Sequence, residues 1–442
     1  MTTFRNKCCI LVFLVALLLL PNSSVGAEGE GVSLQEIVDQ AHPGDTVILK
    51  PGIYQGPITI NKRLTILPEE DGTIVLRNMS PLPAVTIKAD NTTIMGLQII
   101  DEMVKETPTV QVNGHHTVLE SLNIQTSGSG IVVRDADDGT LRNNTIEWIA
   151  EGVQMADKGN GMDLYNGHRW NITDNTIHDV LDGIYLENSD DTYVNGNVIE
   201  RSRYGVHCMY TNRTMIRQNE GKMNVTGAMV MAARQVSVIG NTFTKQSENV
   251  NSQGILLYDT HETTVSDNTV VGNRVGLYIE LSTDNLLENN RVSYNFVGMQ
   301  MLESIDNVVE GNQFIGNVSD AQTRGSEENR ISNNYWDNFR GIDADGDGKS
   351  DISYAMNPFF QSLTQKRPAF QLFFQSPGMV FMEGLYQTER SRWTTDMAPL
   401  MDMPNSKYQQ GDSESNVKTG LTGIVLLGST FIFILWVRRR ST

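Results

Sequence analysis

A 22-residue repeat runs through the middle of this 442-residue chain and constrains its fold more than any other feature. Within each unit a glycine is followed fourteen residues later by an asparagine, as in Gly183 and Asn197 or Gly205 and Asn219. Apolar residues alternate after each glycine, which is the period of two that a half-buried β-strand requires. A constant period of this length is typical of a solenoid, whose units bury their apolar faces only by stacking on one another.

The asparagines of the repeat predict a ladder along one corner of the solenoid. Asparagine tolerates the tight backbone of a corner, and stacked side-chain amides can hydrogen-bond to one another. Short strands joined by Asn/Gly turns predict an all-β fold, a right-handed parallel β-helix of roughly twelve coils spaced ~4.8 Å apart. The predicted ladder residues are Asn144, Asn175, Asn197, Asn219, Asn241, Asn268, Asn290 and Asn312.

The two ends of the chain predict export and a membrane anchor. Residues 1–27 combine two basic residues, an apolar stretch and a small-residue cleavage site, which is the pattern of a secretory signal peptide. Residues 420–437 are an uncharged apolar run of about the minimum length for a transmembrane helix. Three arginines follow at once and place the tail, residues 438–442, in the cytoplasm. We therefore expect an exported protein, extracytoplasmic in bulk and anchored to the cytoplasmic membrane by a C-terminal helix.

Between these ends the sequence predicts three parts. Residues 28–336 form the parallel β-helix, residues 337–390 a C-terminal cap with an aspartate-rich loop, and residues 391–419 a polar linker. The net charge of −18 argues against nucleic acid as a partner. After signal removal Cys208 is the one remaining cysteine, so no internal disulfide is expected. Its place three residues after Gly205 predicts a small core residue.

The residues two and four positions after each repeat glycine are expected to point outward. On two consecutive coils these positions are occupied by His207, Met209, Met229 and Met231. Imidazole and thioether ligands on coils ~4.8 Å apart suit a soft monovalent copper ion, and suit calcium or magnesium poorly. A methionine-rich exposed patch is also typical of a protein-docking surface. The two interpretations are compatible, and the sequence leaves both open.

Two carboxylates on the same outer face raise the alternative of a carbohydrate-active β-helix enzyme. Asp163 and Glu187 lie on neighbouring coils, at a spacing not far from the ~5 Å that separates the carboxylates of retaining glycosidases. No dense group of acids with a recurring basic residue accompanies them, so enzymatic activity is the weaker hypothesis. A surface-layer or adhesion protein is a third alternative, and it needs no cluster of soft ligands.

The predicted cap contains an aspartate-rich loop with the spacing of a calcium site. Asp343, Asp345 and Asp347, a glycine and Asp351 match the first nine positions of such a loop. The bidentate glutamate expected at the twelfth position is replaced by Tyr354. The spacing predicts calcium or another hard cation with a structural role. The alternative is an acidic turn without a metal.

Three segments together resemble the NosD family, extracytoplasmic β-helix proteins required for the maturation of nitrous-oxide reductase. They are residues 203–210 (Arg-Tyr-Gly-Val-His-Cys-Met-Tyr), the methionine-bearing coil 227–231, and residues 334–337 with the aspartate loop. The resemblance implies a non-catalytic role in assembling the reductase's copper centre. It further implies an ABC-type ATPase and permease as partners, and a copper chaperone as the source of copper. The predicted C-terminal helix departs from the soluble periplasmic members of the family.

Overall fold

The computed structural model describes residues 31–69, 72–246, 252–326, 328–373, 376–386 and 393–404. The predicted signal peptide, residues 1–27, and the predicted membrane helix, residues 420–437, lie outside these described residues. Among the described helices, none has the length and apolar character needed to cross a membrane.

The described chain winds into a parallel β-solenoid, so the all-β solenoid predicted from the repeat is confirmed. Each regular coil contributes one strand to each of three parallel sheets, which we call A, B and C. In the described part of the chain sheet A has 14 strands, which is more than the roughly twelve coils expected from the sequence. Two strands flank each asparagine of the repeat, because the chain turns a corner at the asparagine.

The strands are short, and most successive strands of a sheet start 22 residues apart in the sequence. Sheet A contains Val32–Ser33, Gly52–Gln55, Ile74–Asn78, Gln98–Asp101, Asn123–Thr126, Thr145–Trp148, Thr176–His178, Val198–Glu200, Glu220–Lys222, Thr242–Thr244, Thr269–Val271, Arg291–Ser293, Gln313–Ile315 and Tyr335–Trp336. Sheet B contains Thr46–Leu49, Thr65–Pro68, Thr93–Met95, Val118–Glu120, Thr140–Arg142, Asn171–Thr173, Tyr193–Asn195, Met215–Arg217, Ser237–Ile239, Thr264–Ser266, Leu286–Glu288, Val308–Glu310 and Arg330–Ser332. Sheet C contains Ile58–Ile60, Val85–Ile87, Val110–Val112, Ile131–Arg134, Met162–Tyr165, Asp182–Glu187, Tyr204–Met209, Thr226–Met231, Gln253–Tyr258, Val275–Glu280, Val297–Leu302 and Ser319–Arg324.

Helices lie at the ends of the solenoid and in one loop. The first, Leu34–Gln40, buries Leu34 and Val38 against the first coils and so closes that end of the core. The others are a 3₁₀ turn, Met155–Asp157, and the helical segments after the last coil. These segments are Phe359–Lys366, Pro368–Phe373 and Pro377–Leu385.

The repeat glycines are required because successive coils approach each other closely. A Cβ atom on Gly183 would lie 2.6 Å from the carbonyl oxygen of Gly205 on the next coil. The same site on Gly161 would lie 2.7 Å from the carbonyl oxygen of Gly183. A real Cβ does not tolerate such distances, so glycine is required at the start of the sheet C strands from Ile131–Arg134 to Val297–Leu302. The alternating apolar residues that follow, such as Ile184 and Leu186, are fully buried in the core.

The asparagines of the repeat stack in a buried ladder at the corner between sheets B and A. From Asn144 to Asn334, each side-chain amide donates to the Oδ1 atom of the next asparagine at 2.9–3.0 Å. The residue before each ladder asparagine adopts a left-handed backbone, as in Gly196 (φ 68°) and Gln218 (φ 52°). The left-handed turn and the stacked amides therefore occur together at the same corner of every regular coil.

A second ladder, which was not predicted from the sequence, lies at the corner between sheets A and C. Its side chains, Asn224, Gln246, Asn273, Asn295 and Asn317, follow the first ladder by five residues. Each of the first four donates its backbone N–H to the side-chain oxygen of the next one at 2.8–3.2 Å. The amide side chain that recurs five residues after the ladder asparagines from Asn219 to Asn312 was the signal available in the sequence.

A strap made of residues 393–404 closes the C-terminal end of the solenoid. Its strand Thr395–Asp396 pairs antiparallel with Tyr354–Ala355, and the fully buried Asp396 ends the first ladder. Asp396 Oδ2 accepts hydrogen bonds from the side-chain amide of Asn334 at 3.0 Å and from the indole of Trp336 at 2.9 Å. The predicted linker, residues 391–419, therefore begins too early. Residues 393–404 belong to the cap, because a buried carboxylate replaces the asparagine that the next coil would have supplied.

Candidate functional site

The outer face of sheet C brings together the four residues predicted to bind copper. His207 lies in register with Met229 on the next strand, and Met209 with Met231. The three methionines are half-buried, whereas His207 is only 7% exposed. We call these four residues the His/Met patch. The two strands of the patch lie ~4.8 Å apart, which is close enough for side chains on both strands to reach one ion.

His207 is held by residues that the sequence analysis did not single out. Its Nδ1 atom lies 3.0 Å from Oδ2 of the buried Asp182 on the preceding strand. Its ring contacts two tyrosines, with centroid separations of 4.9 Å to Tyr185 and 4.8 Å to Tyr204. The other ring nitrogen, Nε2, is buried and has no hydrogen-bond partner among the described residues. A buried polar atom of this kind calls for an explanation, and an absent ligand is one.

Asp182 is paired at the same time with a guanidinium group. Arg203 donates from Nε to Oδ1 at 2.8 Å and from Nη2 to Oδ2 at 2.7 Å, in a bidentate arrangement. Burial acts to raise the pKa of Asp182, but the hydrogen bonds from Arg203 and His207 outweigh it and leave the pKa below its ordinary value. Asp182 is therefore an ionised acceptor. The signal in the sequence was an aspartate directly before Gly183 with an arginine 21 residues later.

Cys208 does not contribute to the outer face. Its side chain is completely buried in the core between the coils, where the repeat predicts it. Burial raises the pKa of the Cys208 thiol to about 12. Because the thiolate is the form that binds metals, this cysteine is a packing residue in the folded protein.

The two carboxylates considered for catalysis do not face each other. Asp163 lies in register with Tyr185, and Glu187 with Tyr165, so the two acids are offset by two positions on adjacent strands. Asp163 is paired with Arg134 at 2.6 Å, and Glu187 accepts a hydrogen bond from the Tyr185 hydroxyl at 2.7 Å. Each acid therefore has its own partner.

The aspartate-rich loop places three of its four predicted ligands together. Asp343, Asp345 and Asp351 each offer an oxygen, and these oxygens lie within 4.8 Å of one another. Asp347 is not part of this group; its Oδ1 accepts the backbone N–H of Lys349 at 2.8 Å. Asp343 also accepts backbone N–H groups of the loop itself, so part of its acceptor capacity is already used. The loop is an exposed acidic turn with oxygen ligands that suit a hard cation.

The donor set of the His/Met patch fits a soft ion. It combines an imidazole nitrogen without a partner and three thioethers that are partly accessible to solvent. Thioethers and neutral imidazoles favour monovalent copper, whereas hard divalent ions prefer oxygen. Asp182, the carboxylate that contacts His207, uses both oxygens on Arg203 and His207.

Fold and outer face together define a parallel β-solenoid protein with a soft-ligand patch on one sheet. Residues 149–343 match the family described as periplasmic copper-binding protein (NosD). This match confirms the resemblance to the NosD family over these residues, which include the whole His/Met patch. None of the curated proteins compared with the chain matches it.

Two solved structures that resemble this fold are carbohydrate-active enzymes by name. The A-module of mannuronan C-5 epimerase AlgE6 from Azotobacter vinelandii aligns with a TM-score of 0.50 and 18% identity, covering 70% of this chain and 91% of its own. A family 28 exopolygalacturonase from Yersinia enterocolitica aligns with a TM-score of 0.57 and 10% identity, covering 69% of this chain and 76% of its own. At such identities the similarity shows the fold alone.

Proposed function

We propose that this chain is an extracytoplasmic, non-catalytic maturation factor for nitrous-oxide reductase, and that it supports assembly of the reductase's copper centre with an ABC-type transporter. The family match supports a periplasmic, copper-related role. In this proposal the chain is exported and held at the cytoplasmic membrane by residues 420–437. A copper chaperone supplies Cu(I), and the transporter's ATPase and permease complete the complex.

The observation that carries this proposal is the His/Met patch. His207 and Met229 share one row across adjacent strands, and Met209 and Met231 share the next. Cu(I) is the substrate that these ligands favour. A site that transfers an ion to a partner protein needs ligands that are accessible from solvent. The three half-buried thioethers are partly accessible.

The two alternatives lack a comparable observation. A carbohydrate-active enzyme needs carboxylates that act together, whereas Asp163 is paired with Arg134 and Glu187 with the Tyr185 hydroxyl. A surface-layer or adhesion protein would have no use for thioethers around an imidazole with an unpartnered nitrogen.

Replacement of Met209, Met229 and Met231 by leucine tests the proposal in cells that make nitrous-oxide reductase. Leucine keeps the volume and apolar character of methionine but removes the thioether, so folding and apolar docking should survive. We expect the reductase to be made and the transporter complex to assemble, while the reductase lacks copper. Copper in the purified reductase and co-purification of the ATPase with the variant chain are the two readouts.

A matched triple variant controls for the loss of methionine in general. Met155, Met215 and Met223 are exposed and lie off the outer face of sheet C. Their replacement by leucine should leave the reductase fully loaded with copper. A fully loaded reductase in the patch variant as well would mean that the patch is only a docking surface. Loss of copper in both variants would mean that the patch has no special role.

A further inference from the structure

The best-defined polar arrangement on the outer face is the group formed by Asp182, Arg203 and His207. Asp182 is 1% exposed and receives three hydrogen bonds, two from the Arg203 guanidinium and one from His207. Arg203 is itself packed over the Tyr204 ring, with its Cζ atom 4.6 Å from the ring centroid. The three charged or polar side chains are therefore fixed relative to one another before any ligand arrives.

This geometry decides which nitrogen of His207 carries the hydrogen. Both oxygens of Asp182 accept from the Arg203 guanidinium, so this carboxylate acts as an acceptor and the ring nitrogen 3.0 Å from Asp182 Oδ2 must be the donor. In the neutral imidazole the hydrogen is then on Nδ1 and the lone pair is on Nε2. That lone pair is buried and has no hydrogen-bond partner in the described part of the chain, an arrangement that costs free energy without a ligand.

Arg203 removes Asp182 from competition as a metal ligand. The guanidinium engages both carboxylate oxygens and balances the negative charge next to the patch. A bare carboxylate at this place would attract hard divalent ions. With Asp182 paired, the soft donors beside it are the Nε2 atom of His207 and the thioethers, of which Met229 lies in register with His207 on the next strand.

We propose that Asp182 and Arg203 are a positioning pair that fixes Nε2 of His207 as the nitrogen that binds Cu(I). The inference rests on the proposed function and adds two residues to its site. Neither residue touches the ion. Hydrogen-bonded carboxylates behind a ligating imidazole orient the ring in the same way at other metal sites, and their loss there lowers metal affinity about 10- to 100-fold.

The test uses the full chain labelled with ¹⁵N-histidine and free of metal, with Cu(I) as the only probe. Long-range ¹H–¹⁵N correlation spectra show which ring nitrogen carries the hydrogen, and His207→Gln assigns the resonances. Cu(I) affinity is measured by competition with a chromogenic chelator. Asp182→Leu removes the acceptor, and Asp182→Asn restores one because its amide oxygen can still accept from Nδ1.

Asp163→Leu is the matched control. Asp163 is also a nearly buried carboxylate on sheet C that is paired with an arginine, Arg134, but it has no contact with His207. Its loss should therefore perturb folding about as much as the loss of Asp182 does. Circular dichroism of each variant identifies any that do not fold.

The inference predicts an unprotonated Nε2 in the wild-type chain, with Cu(I) shifting that resonance. It further predicts an affinity loss of about tenfold or more in Asp182→Leu, partial rescue in Asp182→Asn and wild-type affinity in Asp163→Leu. A hydrogen on Nε2 in the wild-type chain overturns it. Wild-type Cu(I) affinity in Asp182→Leu also overturns the inference, provided that His207→Gln weakens Cu(I) binding. If His207→Gln leaves Cu(I) affinity unchanged, the proposed site itself fails, and this inference with it.

Discussion

Replacement of Asn219 by alanine removes one rung from the middle of the first ladder. Its side-chain amide donates to the carbonyl oxygen of Val194 and to Oδ1 of Asn241, each at 3.0 Å. Its own Oδ1 accepts the backbone N–H of Asn197 at 3.0 Å and the Asn197 amide at 2.9 Å. The substitution therefore deletes four hydrogen bonds inside a corner that is closed to water.

The size of the loss in unfolding free energy depends on which of these groups keep a hydrogen-bond partner. The Asn197 amide still bonds the Ile172 carbonyl oxygen at 3.0 Å, but the Asn197 backbone N–H loses the partner it has in the ladder. A buried donor left unsatisfied costs ~1–3 kcal/mol, and each of the other three bonds contributes about 1 kcal/mol. We therefore expect Asn219→Ala to lower the free energy of unfolding by about 4–6 kcal/mol, which is exceptionally large for a single substitution.

Urea unfolding followed by circular dichroism measures this loss. Arg217→Ala is the control, because Arg217 is an exposed residue two positions before Asn219 in the same turn region. We expect it to stay within ~0.5 kcal/mol of the wild-type chain. If Asn219→Ala also stayed within that margin, the stacked amides would not stabilise the corner, and the reasoning would be refuted.

Three further predictions concern buried and acidic groups. Burial raises the pKa of Asp320 to about 6 despite the hydrogen bond that Tyr354 donates, so the folded state holds this proton more tightly than the unfolded state does. Stability should then fall as pH rises from about 4 to about 6, and Asp320→Asn should be more stable than the wild-type chain above pH 7, by at most about 3 kcal/mol; parallel stability curves for the two chains would contradict this. Because the pKa of Cys208 is raised to about 12, iodoacetamide should alkylate this thiol at pH 8 only in urea, and alkylation of the native chain would place it outside the core. If the acidic loop binds calcium, added Ca²⁺ should raise the thermal midpoint of the wild-type chain but not of an Asp343→Asn, Asp345→Asn double variant, whereas an equal response would indicate an acidic turn without a metal.

The features that recur every coil could be predicted from the sequence. Repetition shows that a residue type is needed at one place in the coil, because each coil meets the same neighbours. This is why the solenoid, the corner asparagines and the inward position of Cys208 could be placed without coordinates. The alternation of inward and outward residues after each glycine also predicts which side chains of sheet C point outward. Stacking of the coils then places His207 beside Met229.

The features that occur once could not be predicted in this way. Asp182 and Arg203 lie on successive coils and meet beside His207, but the aspartate and arginine spacing that signals this pair occurs once, so no other coil supports it. The strap was missed for a related reason. Its key residue, Asp396, lies 62 positions after Asn334 in a polar stretch that resembles a linker, and only the three-dimensional structure shows that it ends the ladder. A polar composition does not reveal that one of its side chains is buried.

The most direct test of the proposed copper role is X-ray absorption spectroscopy at the copper edge, on the full chain loaded with an equimolar amount of Cu(I). The account predicts sulfur and imidazole nitrogen scatterers around copper in the wild-type chain. It also predicts that the sulfur contribution is lost when Met209, Met229 and Met231 are replaced by leucine, while the variant with leucine at Met155, Met215 and Met223 keeps the wild-type spectrum. An unchanged spectrum in the patch variant, or a wild-type chain that retains no Cu(I), would contradict it.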